Sequence, residues 1–205
     1  MQVGAPGAQQ QGASGIVARV QEDIRPLLEQ GKLEEAIKKV KGAIKSAGTD
    51  LELFQLRMLN IRIMLAGALR GDLEKERLVR QTDKLIEESK GRQKESAYLI
   101  NAKIFSALHD YEKAASLLET YLENYPEPTP EEMDRWRESP QSETSDGRGV
   151  SHPRLMYRYL AREMLKKVGM VGEQIPDFEV KTLSGETRSP EDYRGKVWLL
   201  DFWAT

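Results

Sequence analysis

The sequence predicts a mostly helical protein built from repeated helical hairpins, followed by a short extended segment that begins a different kind of domain. Three observations support this prediction. Apolar residues recur at helical spacing across residues 15–125. A short turn pattern returns three times, at intervals of about 40 residues, which is typical of stacked helical repeats. After residue 170 the pattern becomes alternating, and residues 197–205 (VWLLDFWAT) form an apolar run that is typical of a covered strand.

The composition excludes several classes of function. Charged residues make up 31% of the chain, yet the net charge is only −2, which gives no electrostatic reason to expect nucleic acid or an anionic membrane as partner. No apolar run approaches the length of a membrane span. The chain contains no cysteine, and its two histidines, His109 and His152, are far apart. We therefore predict no catalytic residue, no cofactor and no metal site within these residues.

The helical body is expected to contain three helix-turn-helix units within residues 15–125. The first unit turns at Gly31, the second at Gly71 and the third at His109. Pro26 lies inside the first helix and is expected to kink or shorten its last turn. The second helix is expected to end near Gly48. The helix over residues 51–69 is apolar all round, so we predict that it lies between neighbours on both sides.

The third unit resembles a tetratricopeptide repeat. In that family, small residues let paired helices approach, and large residues fill the space between them. The residues that carry the resemblance are Tyr98, Ala102, Phe105, Tyr111, Ala114, Leu118, Tyr121 and Pro126. Tyr121 departs from the pattern, because a small residue is usual there. The second unit departs as well, since Glu76 occupies an alanine position, and the period exceeds the usual 34 residues.

The resemblance implies a protein partner bound in the groove of the repeats. Five arginines could line such a groove and receive an acidic peptide tail: Arg57, Arg62, Arg70, Arg77 and Arg80. A solvated face with helical partners, such as Glu76–Arg80, is the favoured interpretation of these arginines. For His109, an exposed turn residue is favoured over a pH-sensitive or ligand-binding group.

The remaining boundaries follow from composition. Residues 1–14, rich in Gly, Ala, Gln and Pro, are expected to be a disordered lead-in without the features of a signal peptide, or the remnant of a lost leader. Residues 126–150 are predicted to be a flexible linker, with a short helix over 131–137 capped by Thr129 and a mobile loop over 138–150. Trp136 is interpreted as a surface residue that could anchor this loop. A capping and linking helix is predicted within residues 151–170.

Residues 171–205 are predicted to begin a new domain. Residues 178–183 alternate as a strand, Ser184 and Gly185 form a turn, and residues 186–188 return as a short partner strand. Residues 190–193 suit one helical turn. Gly195 and Lys196 then precede the apolar strand of residues 197–205. A coincidental strand of an unrelated α+β domain is the alternative interpretation of this segment.

This order of residues resembles the start of a thioredoxin-fold domain of the TlpA/ResA-like thiol–disulfide oxidoreductases, which are relatives of the peroxiredoxin (redoxin, AhpC/TSA) family. The resemblance covers only about the last 35 residues. It is carried by Gly172, Pro176-Asp177-Phe178, Leu183, Gly185, Tyr193-Arg194-Gly195-Lys196 and Leu199-Leu200-Asp201-Phe202-Trp203-Ala204-Thr205. The ending Phe202-Trp203-Ala204-Thr205 favours the branch with a Cys-x-x-Cys motif over the peroxiredoxin branch.

The resemblance implies redox or antioxidant chemistry on a protein dithiol or disulfide, by two cysteines that would follow the strand. This chain has neither cysteine. We therefore expect it to be a fragment of a thiol–disulfide oxidoreductase whose helical repeats bind a protein partner, and to be inactive by itself. The alternative is a non-catalytic, tetratricopeptide-like binding scaffold. Family members usually work in the periplasm or cell envelope, but no signal peptide is present here to indicate a compartment.

Overall fold

In a computed structural model of the chain, the structure describes residues 15–139, 142, 151–173 and 177–197. The predicted lead-in, most of the predicted mobile loop and all but the first residue of the predicted apolar strand lie outside these ranges. The chain divides after Val168 into two compact units. The helices of the described residues are α1 (Gly15–Glu29), α2 (Leu33–Lys45), α3 (Asp50–Arg70), α4 (Lys75–Glu88), α5 (Gly91–Ala107), α6 (Tyr111–Asn124), α7 (Pro130–Arg137) and α8 (Pro153–Gly169).

The first six helices form three consecutive hairpins, and all three hairpins turn in the same way. Gly31, Gly71 and His109 each adopt a positive φ, of 71°, 81° and 62° respectively. In each turn the next residue's N–H donates to a carbonyl five residues earlier, at 2.8 Å from Lys32 to Leu27, and at 2.9 Å both from Asp72 to Gly67 and from Asp110 to Phe105. This is the Schellman hydrogen bond that closes a helix end. The recurring turn pattern therefore corresponds to one recurring backbone geometry.

Pro26 does not shorten α1, and the predicted end of α2 was wrong in detail. α1 continues beyond Pro26 to Glu29, because the carbonyl that loses its hydrogen-bond donor there belongs to Glu22, which is exposed to solvent. α2 ends at Lys45 instead of near Gly48. The reason is that Thr49 begins the next helix, since its hydroxyl accepts a hydrogen bond from the Glu52 N–H at 3.1 Å.

The larger core lies among α1 to α5, and α3 packs against α1, α2 and α4. The buried residues of α3 point in several directions around its axis, which confirms the prediction of a helix flanked on more than one side. At Gly67 an added Cβ would lie 2.5 Å from Leu33 Cδ2 and 3.3 Å from Leu73 Cβ. A larger residue at this position would force the Leu33 side chain to shift.

A second cluster joins α5, α6 and α8. Ala102, Leu118 and Tyr121 are buried in it, and Tyr98 and Tyr125 pack around the Tyr121 ring with centroids 6.4 and 5.2 Å away. Tyr121, which departs from the repeat pattern, is therefore the centre of a tyrosine cluster that also contacts α8. A small residue at this position would leave that space unfilled.

The helix α7 forms as the sequence predicts, because a capping box fixes its start. The Thr129 hydroxyl accepts from the Glu132 N–H, and the Glu132 carboxylate accepts from the Thr129 N–H. The interpretation of Trp136 as a surface residue was wrong. Its ring is buried, with the Arg92 guanidinium 5.1 Å from one face and the His152 ring 5.4 Å away.

The described part of the second unit contains a hairpin of β1 (Val180–Lys181) and β2 (Thr187–Arg188), followed by a 3-10 turn, Pro190–Tyr193. The strands are antiparallel, with Val180 opposite Arg188. The prediction of a hairpin and one helical turn is confirmed, although the first strand is shorter than predicted. None of the described residues of this unit is buried, which explains why so little of the alternating segment forms a strand.

Candidate partner-binding groove between α2 and α4

Two adjoining cavities lie between α2 and α4, above α3, and together form what we call the α2/α4 groove. One has a volume of about 650 Å³ and the other about 320 Å³, and Lys41 and Lys45 line both. The larger cavity is bounded by α2 and by Arg77 of α4. The smaller one extends onto α3, where Asn60 and Ile61 form its floor. The groove is thus a continuous surface feature of the first two hairpins.

The amphipathic pattern of α2 produces one wall of this groove. Leu33, Ala36, Ile37 and Val40 form its buried stripe. The polar face carries Lys38, Lys41 and Lys45, which are spaced three and four residues apart and therefore share one side of the helix. All three lysines are exposed.

Ion pairs fix several charged side chains at the edges of the groove. Arg77 binds Glu34 across the gap between α4 and α2 with both of its terminal nitrogens. This hydrogen bond lowers the pKa of Glu34 and raises the pKa of Arg77. Arg57 pairs with Glu88, and the Glu88 carboxylate also lies 3.3 Å from Lys84 Nζ. α2 and α4 are consequently tied together at the larger cavity, and α3 and α4 are tied together at the smaller one.

By contrast, the three lysines of α2 that line the groove form no ion pair, whereas Lys39 of the same helix pairs with Asp23 at 3.1 Å. Within the described ranges, no carboxylate lies at ion-pair distance from Lys38, Lys41 or Lys45, although the charge of Lys41 contributes to the low pKa of Glu34. Asn60, on the floor, is also incompletely paired. Its Nδ2 donates to Met64 Sδ at 3.4 Å, while its Oδ1 is buried and has no hydrogen-bond partner. The groove thus offers unused cations at its rim and an unused acceptor beneath them.

The structure brings together only two of the five arginines that the sequence suggested for a groove. Arg57 and Arg77 line the α2/α4 groove, and both are paired. Arg70 pairs with Asp72 at 2.8 Å, while Arg62 and Arg80 are exposed residues that do not line either cavity. Arg80 forms no ion pair with Glu76 among the described residues, so that expected helical partner was wrong.

The cationic side chains that line this groove without an ion pair, Lys38, Lys41 and Lys45, were missed from the sequence. A signal for them existed in the spacing i, i+3, i+7, although Glu34 and Glu35 precede Lys38 by four and three residues.

Both histidines make hydrogen-bond contacts with nearby residues. His109 is exposed in its turn, where its Nδ1 lies 2.8 Å from the Tyr111 hydroxyl. His152 precedes α8, and its Nδ1 accepts a hydrogen bond from the Arg154 N–H at 3.2 Å.

A second polar cluster is internal and fastens α8 to the last hairpin. The carboxylate of Glu95, which is 6% exposed, accepts from the Tyr121 hydroxyl at 3.3 Å and lies 3.4 Å from Arg154 Nε. Arg154 also reaches Glu132 of α7 at 3.4 Å. Burial first, and the nearby Glu95 charge second, raise the pKa of Tyr121. Because these groups bind one another, the cluster is a structural joint.

The described ranges contain neither a metal-binding cluster nor a membrane-spanning helix. No three His, Cys, Asp or Glu side chains come together there as a metal site would require. No helix in those ranges combines the length and the apolar character that a membrane crossing demands.

The sequence comparison supports a thioredoxin-like relationship over a short stretch. The chain is similar to the thioredoxin-like protein YneN of Bacillus subtilis (strain 168), with 58% identity over 41 residues. That stretch is 20% of this chain and covers only 24% of the length of the relative. No family model matches the chain. No solved structure matches it either. The tetratricopeptide resemblance therefore stays a prediction.

Proposed function

We propose that this chain joins a helical module, which binds a protein partner, to the leading part of a thioredoxin-like domain of the TlpA/ResA-like type. In this proposal the complete domain exchanges a disulfide with a protein dithiol, and the helical module brings its partner close. The observation that carries the proposal is the 58% identity to a thioredoxin-like protein. The order of motifs from Gly172 to Thr205 also supports it.

The described hairpin is consistent with this proposal. β1 and β2 are joined by a turn in which Gly185 has a φ of 83° and its N–H donates to the Thr182 carbonyl at 2.9 Å. A short antiparallel hairpin of this kind, by itself, buries too little to be stable. The proposal assigns the missing cover to the remainder of a thioredoxin-like sheet.

The reading frame of the gene provides the most direct test. The proposal expects codons for Cys-x-x-Cys soon after the codon of Thr205. A protein extended through that motif and its domain should then reduce insulin in the presence of dithiothreitol. The 205-residue chain, which has no thiol, is the matched control and should show no turnover. Absence of the two cysteine codons, or turnover by the cysteine-free chain, would refute the proposal.

A second candidate function is a non-catalytic binding scaffold, and the α2/α4 groove is the observation in its favour. Its unpaired lysines and buried unpaired Asn60 oxygen do not depend on any redox chemistry. A stop codon directly after Thr205, together with partner binding by the 205-residue chain, would favour the scaffold. Partner binding that needs the extended domain would count against it.

A further inference from the structure

We propose that the α2/α4 groove binds a short acidic segment of a protein partner, with carboxylates at the lysines of α2 and an apolar side chain on the floor. The inference rests on the proposal that the helical module binds a protein, and it names the site and the chemistry of the bound segment. Three independent observations carry it: the charges at the rim, the character of the floor, and the open backbone at Gly42.

The lysines of the rim repel one another, and the nearby carboxylates of Glu34 and Glu35 offset this repulsion only in part. Lys41 and Lys45 are four residues apart on one helix, and like charges at that spacing destabilise the helix. Lys38 is three residues from Lys41 on the same side. No carboxylate in the described part of the chain pairs with any of them. Carboxylates of a bound segment would convert this repulsion into charge-assisted hydrogen bonds.

The floor is apolar with one polar exception. Ile37, Ile44, Ile61 and Leu85 line the two cavities and suit an aliphatic side chain. Asn60 places its buried, unpaired Oδ1 among them. A buried acceptor without a donor is costly, and a backbone N–H of a bound segment would supply the donor once the floor moves enough to expose the atom. The groove therefore combines contacts for side chains and for a peptide backbone.

Gly42 gives the segment room to approach. It lies in the interior of α2, where glycine costs about 1 kcal/mol relative to alanine. An added Cβ at this position would have no neighbour within 4 Å, so packing inside the protein does not require glycine. Gly42 lines the larger cavity between the rim lysines. A helix surface without a side chain at this point leaves space for another chain.

The dimensions and the surroundings favour a peptide over nucleic acid. The rim from Lys38 to Lys45 rises about 10 Å along the helix, the length of about three extended residues. Glu34 and Glu35 at one end would repel a continuous phosphate backbone. Among the described residues that line the two cavities, none is aromatic, so no platform for base stacking is present.

The test is fluorescence anisotropy with the full 205-residue chain. The probe is a fluorescein-labelled peptide, Gly-Ser-Glu-Glu-Leu-Glu-Glu-Ser-Gly, and its matched control replaces every Glu with Gln. We expect the acidic peptide to bind at least about tenfold more tightly than the control. Its affinity should fall as salt is raised from about 50 to about 300 mM, because exposed charges are screened. Equal affinities, or no binding at about 1 mM protein, would overturn the proposal.

Variants locate the site. The double change Lys41→Gln and Lys45→Gln should lower the affinity for the acidic peptide at least about tenfold. The control is Lys103→Gln with Lys167→Gln, which removes the same charge from exposed lysines of α5 and α8 and should leave affinity unchanged. Gly42→Gln should raise the thermal midpoint, because glutamine is the better helix former, and yet weaken binding. Equal loss in both double variants, or full binding by Gly42→Gln, would contradict the assignment.

Two outcomes separate this inference from the function on which it rests. If an identified partner protein binds the wild type and the Lys41→Gln, Lys45→Gln variant equally, the groove assignment fails and the binding function stands. If a labelled single-stranded oligonucleotide binds more tightly than the acidic peptide and depends on the same lysines, the groove serves nucleic acid and the proposal is wrong.

Discussion

The helical unit and the described part of the second unit use the same local devices, yet only the first of them builds a core. Both contain a capping box, at Thr129 in α7 and at Ser189 before the 3-10 turn. Both contain turns closed by a glycine of positive φ. The helical unit also buries a contiguous set of large apolar side chains, whereas Leu183 in the second unit is fully exposed. Hydrogen-bonded turns specify local geometry, and burial supplies the stability.

The largest expected contrast concerns apolar side chains. Phe105→Ala empties a buried site between Ala114 and Val168, and should lower the free energy of unfolding by about 3–5 kcal/mol. Leu183→Ala is the matched control and should change it by no more than about 0.5 kcal/mol. Urea unfolding followed by circular dichroism measures both. A similar loss in the two variants would mean that Leu183 is buried in a core of the second unit, and would contradict its exposure in the structure.

The next contrast concerns ion pairs. Arg154→Met leaves the buried Glu95 carboxylate without its cation, and should cost about 2 kcal/mol, less than a fully buried pair because Arg154 is 23% exposed. Arg188→Met removes the exposed pair with Glu186 and should cost about 0.5 kcal/mol or less. The same unfolding assay compares them. Equal losses would mean that the joint between α5 and α8 contributes no more than a surface contact.

Turn glycines provide a contrast in which the local strain is the same. Gly71 and Gly185 have φ values of 81° and 83°, and alanine is strained at both by about 1 kcal/mol. Gly71→Ala should lower the global free energy of unfolding by that amount, since the turn joins two core helices. Gly185→Ala should leave global unfolding unchanged and alter only the amide signals of the hairpin, as seen by NMR. A change in the global free energy of unfolding on Gly185→Ala would contradict the proposed difference between the two units.

The smallest expected effect is the pH dependence at His152. Burial first, and then the charges of Arg154 and Arg92, lower the pKa of His152 below its usual 6.5. The unfolded chain therefore binds this proton more readily, and stability falls as the pH decreases below about 6.5. His152→Asn keeps an acceptor for the Arg154 N–H but does not titrate. We expect wild type to lose more stability than His152→Asn between pH 7.5 and 5.5, and equal losses would exclude His152 as the cause.

Much of the helical unit could be predicted from the sequence, because its signals are local. Hydrophobic periodicity located α1 to α6, and the break at residues 31, 71 and 109 indicated a repeated turn. The positive φ of His109 was not predictable from its residue type, yet its position in the repeat implied it. Trp136 was misread because its neighbours in sequence are charged, whereas its actual neighbours, Arg92 and His152, come from α5 and from the start of α8.

The candidate site was harder to predict, since it depends on tertiary placement. The sequence suggested arginines of α3 and α4, but most of them pair or lie elsewhere. Lys41 and Lys45 line a groove only because α4 lies opposite them and Asn60 lies beneath, and no pattern within one helix contains that information. The hairpin of the second unit was predictable from Ser184 and Gly185, whereas its short strands reflect the absence of burial that only the structure shows.

Hydrogen exchange of the 205-residue chain, resolved by residue, tests the difference between the units most directly. Amides in the buried middle of α3 should exchange only through global unfolding and be the slowest of the chain. Amides of the hairpin, such as that of Thr182, which donates to Glu186 at 2.9 Å, should exchange at nearly the rate of an unstructured peptide. Equal protection of α3 and of residues 177–197 would contradict the account.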